Sequence, residues 1–269
     1  MSKKYLVKHV GIGDLIFFCG TILLNHEKGE TIEFCLSKEI LGMYRENSQD
    51  YEKFCYEYVK YFLSDYEIKI LPNESETNYN WIVDYDSFNK IINNIEVLNQ
   101  IKNKLNIQKT KYENYLVLFT KVRDLDKTNY FSVCDHFYDY INKFDGKIIL
   151  LGEKNIIYKG EYAIHGENKI YSIYDDCINK ISEDKIIDLT TSVYDFKNFS
   201  LENILNDMSI ISNSEKTFIF GGGGFFCLSL FTNKLVSLTN NLYKSAFYSK
   251  ENLQIFNKNE EFTKNLSYL

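Results

Sequence analysis

Tyr5-Leu-Val-Lys-His-Val-Gly11-Ile12-Gly13-Asp14-Leu-Ile-Phe-Phe-Cys-Gly20 is the stretch on which the fold turns. The apolar run Tyr5–Val10 predicts a buried strand, Gly11 and Gly13 turn the backbone, and the apolar segment from Asp14 to about His26 predicts a helix. This order puts Asp14 at the carboxyl end of a strand and in the first turn of a helix, where open α/β sheets place their ligands. An aspartate there also caps a helix, because its oxygen accepts an early backbone N–H and its charge faces the positive end of the dipole. The residues alone leave both roles open. The dinucleotide fingerprint is absent, since it needs a third glycine near position 16, where Ile16 stands.

Working outward, strands and helices alternate. Thr31–Leu36 and Glu67–Leu71 read as strands, and Ser37 to about Ser64 as a helical stretch. The polar segment Asn73–Asn80 reads as a loop, and Asp86 to about Lys104 as a helix with Ser87 as its cap. After a polar linker near Asn106–Glu113 the pattern restarts. Strands are expected at Tyr115–Thr120, Lys147–Leu151, Ile186–Leu189, Thr217–Phe220 and Leu235–Thr239. The helices expected between them are Thr128–Phe144, Ile170–Ile181, Leu201–Asn213 and Phe225–Thr232, with a polar helical remainder over Leu242–Leu269. The expected fold is α/β, with two Rossmann-like domains whose parallel sheets are flanked by helices. The boundaries fall at 1–110, 111–245 and a helical segment 246–269, and the cleft between the domains is the expected binding site.

Composition narrows the partners. The chain has 269 residues, 45% of them hydrophobic and 25% charged, enough for a substantial core. Its 22 Tyr, 20 Phe and abundant Ile, Asn and Lys fit an AT-rich coding sequence, so Lys/Asn stretches need not be binding patches. A net charge of −6 argues against nucleic acid as the main partner. Six scattered cysteines without C-x-x-C spacing read as buried hydrophobes in a reducing compartment, with neither a metal site nor a disulfide framework expected. Leu15–Leu24 lacks a cleavage site, and every apolar run is shorter than the roughly 20 residues that span a bilayer. The expected location is the cytoplasm, with a peripheral position near a membrane left open and the oligomeric state unread.

A second glycine loop, Gly221-Gly222-Gly223-Gly224, lies between an expected strand and an expected helix. Glycines there admit positive φ and close ligand approach, and a helix start supplies unpaired N–H groups, an arrangement suited to phosphate. Close helix–sheet packing is the other reading of the loop. No Lys-Ser/Thr follows it, which excludes a P-loop hydrolase. Among further polar candidates, His165 and Glu161 lie in a polar insert and His9 beside the first turn. Asp188 with Thr190 ends a central strand and suits contact with a ribose or base. Tyr171 and Tyr174 read as packing residues, and His26 and His136 as helix-surface residues.

Taken in order, the Gly-x-Gly-Asp turn, Val117-Leu118-Phe119-Thr120 followed by Lys127, Ile148–Gly152, Ile186–Thr190 and the late glycine loop resemble the ADP-heptose:lipopolysaccharide heptosyltransferase family. The resemblance implies a GT-B fold and metal-independent glycosyl transfer from a nucleotide-diphosphate sugar to a glycan acceptor, with no other cofactor. It implies Asp14 as the base that deprotonates the acceptor hydroxyl, with Gly11 and Gly13 shaping its loop. Thr120 and Lys127 would hold the donor diphosphate, with Lys121 and Arg123 as neighbouring substitutes and the N–H groups of Gly222, Gly223 and Gly224 completing the cradle. The family's late Asp-Ser/Thr is glycine here, and Phe225, Phe226 and Cys227 replace its small residues and histidine, which implies a sugar other than heptose. A non-catalytic nucleotide or sugar binder on the same scaffold is the alternative. A Rossmann epimerase or dehydrogenase is a third reading and lacks its third glycine.

Overall fold

The computed structural model describes residues 4–7, 11–37, 48–71, 90–105, 108–123, 127–154, 157–158, 161–162, 164–165, 168–191, 200–221, 224–232, 234–238, 254–256 and 259–266. The chain divides into two compact units: residues 1–107, 196–205 and 223–231 form the first, and 108–195, 206–222 and 232–269 the second. Gly223–Phe231 therefore group with the amino-terminal residues, although the sequence reading placed them in the second domain.

In the first unit, β1 (Lys4–Val7), β2 (Thr31–Leu36) and β3 (Glu67–Ile70) form a parallel sheet in the order β1-β2-β3. Most of β3 is exposed, and its Glu67 and Lys69 give this outer strand the charge that discourages further pairing. Helix α1 (Ile12–Asn25) is buried on nearly all sides. Against it packs α2 (Ser48–Phe62), which presents Tyr51, Phe54, Cys55, Tyr58, Val59 and Phe62 as one apolar stripe at helical spacing. The ring of Phe18 meets Phe34 at 5.3 Å and Tyr5 at 5.9 Å, which joins helix to sheet. The helix expected over Asp86–Lys104 is interrupted at Asn94. Its backbone is extended and its side-chain oxygen accepts from the N–H groups of Glu96 and Val97, so it caps α3 (Ile95–Lys104). The loop at 73–80 and Ser87 lie outside the described residues.

The second unit holds a six-stranded parallel sheet of β4 (Tyr115–Phe119), β6 (Lys147–Leu151), β11 (Ile186–Asp188), β12 (Lys216–Phe220), β13 (Leu235–Leu238) and β14 (Gln254–Phe256). Their order is β11-β6-β4-β12-β13-β14. Counted from β4, this is the doubly wound 3-2-1-4-5-6 arrangement, with its switch point between β4 and β12. The central strands are apolar along almost their whole length because helices cover both faces. On one face α4 (Lys127–Lys143), α5 (Tyr174–Lys180) and α8 (Asn259–Asn265) bury Phe137 against Phe218 and Phe220, at ring distances of 5.2 and 5.1 Å. On the other, Tyr115 donates its hydroxyl to the Ile210 carbonyl of α6 (Leu201–Asn213) at 2.7 Å.

Two expectations need correction here. The stretch expected as a helix over Ile170–Ile181 begins as a strand, β10 (Asn168–Ser172). It pairs antiparallel with β5 (Lys121–Arg123) and with β9 (Ile164–His165), beside the small hairpin of β7 (Ile157–Tyr158) and β8 (Glu161–Tyr162). The helical spacing belongs to Ile173, Cys177 and Ile181, which are buried and start three residues later. The carboxy-terminal stretch is not helical throughout: Gln254–Phe256 adds the outermost strand, and α8, whose Phe262 is buried, packs on α4 within the second unit. Among the described residues no helix is long and apolar enough to cross a membrane.

Candidate functional site

The carboxyl edge of the second sheet gathers most of the polar side chains with assigned roles. Gly152 follows β6 with φ of +99°, and a Cβ on it would meet Thr120 Oγ1 at 3.0 Å, so two strand ends come together only because residue 152 is glycine. Thr120 is fully buried. Its hydroxyl donates to the carbonyls of Leu151 (3.1 Å) and Glu153 (2.9 Å), and its own carbonyl accepts from Ile173 N–H. Ser172, at the end of β10, donates to the same Glu153 carbonyl at 2.8 Å. The Thr120 hydroxyl thus joins the strand ends, with its proton engaged inside the fold.

At the end of β11, Asp188 is bound from all sides. Its carboxylate accepts from Thr190 N–H and hydroxyl, from the Tyr174 hydroxyl at 2.8 Å, and from Lys154 Nζ at 2.8 Å. Burial alone would raise its pKa, but the bonds from Lys154, Thr190 and Tyr174 prevail and hold it at about 2. Lys154 also lies 4.9 Å over the Tyr174 ring, and its ammonium pKa is raised, chiefly by the hydrogen bond to Asp188. Asp188, Thr190 and Tyr174 therefore form one closed network with Lys154.

Glu153 differs from all of these. It follows Gly152 at the end of β6, pairs its backbone with Thr191, and carries a buried Oε2 that receives no hydrogen bond among the described residues. Lys121 Nζ lies 3.6 Å from that oxygen, close enough for ion pairing and too far for a hydrogen bond. A buried carboxylate oxygen without a donor is costly. In a doubly wound sheet, an acidic residue at the end of the second strand is the group that takes ribose hydroxyls. Sequence reading missed Glu153. The signal available was a Gly-Glu pair at the end of the second strand of the restarted pattern.

The Gly11–Asp14 turn belongs to the first unit. Gly11 is the N-cap of α1 and has extended backbone, and no side chain caps the helix there in the usual way. Asp14 stands three residues on, and its carboxylate folds back over Gly11, where a Cβ would meet Oδ2 at 2.8 Å. Gly13 faces α7 (Gly224–Ser229): a Cβ on it would lie 2.7 Å from Cys227 Sγ, and one on Gly224 would lie 2.9 Å from Ile12 Cβ. These glycines let two helix starts touch, which is a packing role. Gly221 has φ of +83° and its N–H bonds to the Leu238 carbonyl, while Gly222 and Gly223 lie outside the described residues.

The remaining candidates divide simply. Lys127 opens α4, Arg123 ends β5, and Glu161 and His165 lie in β8 and β9, but their side chains lie outside the described residues, as does the side chain of Tyr171 and all of His9. His136 is exposed on α4. His26 is not a surface residue: its side chain is 4% exposed, with Nδ1 2.7 Å from Glu30 Oε2 and Nε2 2.6 Å from the Tyr5 hydroxyl. It closes the C-terminus of α1 against β1, and its own carbonyl accepts from Tyr66.

The chain matches no protein-family model and no curated protein. A search of solved structures finds a likeness to the dodecameric iron-containing heptosyltransferase TibC, crystallised in complex with ADP-D-β-D-heptose. The TM-score is 0.44 and the identity 10%, over 93% of this chain and 61% of that one, so this chain spans under two thirds of that protein's length.

Proposed function

We propose that the chain is a metal-independent glycosyltransferase of the GT-B kind, which takes its nucleotide-diphosphate sugar at the carboxyl edge of the second sheet. The observation that carries this reading is the buried Oε2 of Glu153, which has Lys121 at ion-pairing distance but no hydrogen-bond donor among the described residues, at the end of the strand beside β4. Glu153 accepts the ribose hydroxyls, and the Lys121 and Lys127 ammonium groups neutralise the diphosphate as it leaves. The late glycine loop adds main-chain N–H donors. Asp14 takes the proton of the acceptor hydroxyl as general base. The ordered motifs in the sequence support the same assignment.

One observation favours the second reading, a nucleotide or sugar binder without turnover. The Asp14 carboxylate lies back over the N-cap, as a helix cap does. The two are separated by a thermal-shift series with UDP, GDP, ADP, CMP and their sugar conjugates, followed by turnover assays on Asp14→Asn. A nucleotide at 100 times its dissociation constant stabilises by about 2.7 kcal/mol. Stabilisation that Glu153→Gln removes, with turnover that Asp14→Asn removes, is the expected result. Stabilisation without turnover leaves the binder, and no stabilisation by any nucleotide ends both readings.

A further inference from the structure

We infer that the first unit carries a saccharide-binding pocket on the side of α1 that faces residues 90–94. The depression measures about 600 Å³ and is lined by Thr21, Leu24 and Asn25 from α1 and by Lys90, Asn93 and Asn94 from the turn before α3. Gly20 creates the approach on which it depends. A Cβ there would meet Ile91 Cγ2 at 2.8 Å, so the 90–93 turn rests directly on the helix, with Ile91 fully buried beneath the rim. The wall is thus built from two packed helical segments and is formed before any ligand arrives.

The lining selects the chemistry. Among the described residues, three carboxamides, one hydroxyl and one ammonium surround one leucine. Each carboxamide offers two donors and one acceptor in a plane, which matches sugar hydroxyls, since each of these both donates and accepts. Leu24 supplies the one apolar contact suited to the C–H face of a ring. An apolar ligand would cover polar groups without bonding them, and among the described lining residues there is no aromatic ring for a nucleobase to stack on. Two of the amides are already oriented by the protein. Asn25 Nδ2 donates to the Thr21 carbonyl at 2.8 Å, and Asn94 Oδ1 accepts from Glu96 and Val97 N–H. The Asn25 carbonyl and the Asn94 amino group are the ends not used by those bonds, and their fixed direction lowers the entropy cost of binding. The volume corresponds to about twenty waters at roughly 30 Å³ each, room for two or three sugar rings. The assignment rests on residues of the first unit alone and goes beyond the transferase reading.

The test applies the full chain to a glycan microarray. The best-bound oligosaccharide is then titrated against ¹⁵N-labelled protein while the side-chain amide signals of Asn25, Asn93 and Asn94 are followed. Saturable shifts of these signals are expected, together with at least fivefold weaker binding for Asn25→Ala and Leu24→Ala. Both variants should keep the wild-type melting temperature within a few degrees, since Asn25 is exposed and Leu24 half-buried. No glycan above background, or binding that both variants retain in full, overturns the pocket. Nucleotide stabilisation measured on the same samples keeps the two ideas apart. Nucleotide binding without glycan binding removes only the pocket, and the reverse removes only the transferase.

Discussion

The Gly11–Asp14 turn and the Gly152–Glu153 turn look alike in sequence, since each follows an apolar strand and joins glycine to a carboxylate, yet the fold uses them differently. In the first, glycine is required by contact: Gly13 faces Cys227 Sγ at a distance no Cβ tolerates, and the Asp14 carboxylate folds over its own helix start. In the second, glycine is required by its φ of +99°, and the partly exposed carboxylate that follows has one buried oxygen, Oε2, which receives no hydrogen bond among the described residues and has Lys121 at 3.6 Å. A glycine explained by packing says little about ligands, whereas a buried acceptor without a donor calls for one.

The contrast can be broken most forcefully at Gly13. Gly13→Val should destabilise the chain by about 3 kcal/mol through overpacking against Cys227 and leave nucleotide stabilisation intact once the remaining folded protein is measured. A variant as stable as wild type in chemical denaturation would show that the contact with α7 yields. Next in size is the acid response of Asp188. Its folded pKa of about 2 lies below the unfolded value of roughly 3.9, so its contribution of about 2 kcal/mol is complete above pH 5 and disappears as pH falls toward 2. Asp188→Asn should flatten that part of the stability profile, and an unchanged acid limb would mean that the Lys154 and Tyr174 bonds are not kept in solution. Asp207 on α6 acts in the opposite sense. Desolvation pushes its carboxyl up to about 7, so stability falls as pH rises from 4 to 7, and Asp207→Asn should be more stable than wild type at pH 8 and no more stable at pH 4.

Smaller still is Thr120→Val, at about 1 kcal/mol. The Leu151 and Glu153 carbonyls each keep a second donor, Thr120 N–H and the Ser172 hydroxyl. Calorimetry of this variant with and without nucleotide asks whether Thr120 only joins strand ends or also touches the donor. The smallest effect on stability belongs to Glu153→Gln, within about 0.5 kcal/mol of wild type or slightly stabilising, because it removes a charge held without a hydrogen-bond donor. Its effect on ligand is the sharpest: nucleotide affinity should fall at least tenfold, about 1.4 kcal/mol. A strongly destabilised Glu153→Gln would mean that Lys121 already satisfies the carboxylate.

Much of this architecture can be read from residue patterns. Strands β4, β6, β12 and β13 are unbroken apolar runs because both faces of their sheet are covered, and burial on both faces leaves no polar alternation to confuse them. Strands β5 and β10 escape such reading. They are three and five residues long, and what makes them strands is their antiparallel pairing across some fifty residues of chain, which no local window contains. His26 escapes for the same reason: nothing in its neighbours predicts that Tyr5 and Glu30 will close around it.

By itself the sequence determined the alternation of strands and helices, the restart after residue 110 and the glycine turns, because periodicity, burial of apolar runs and turn chemistry are local properties. Only the tertiary structure decided the strand order that creates a switch point beside β4, the use of Gly13 for packing, and the burial of Glu153 Oε2 beside Lys121. Each of these depends on which distant groups come near, and burying a polar atom without a hydrogen-bond partner is a cost that only the folded arrangement can set.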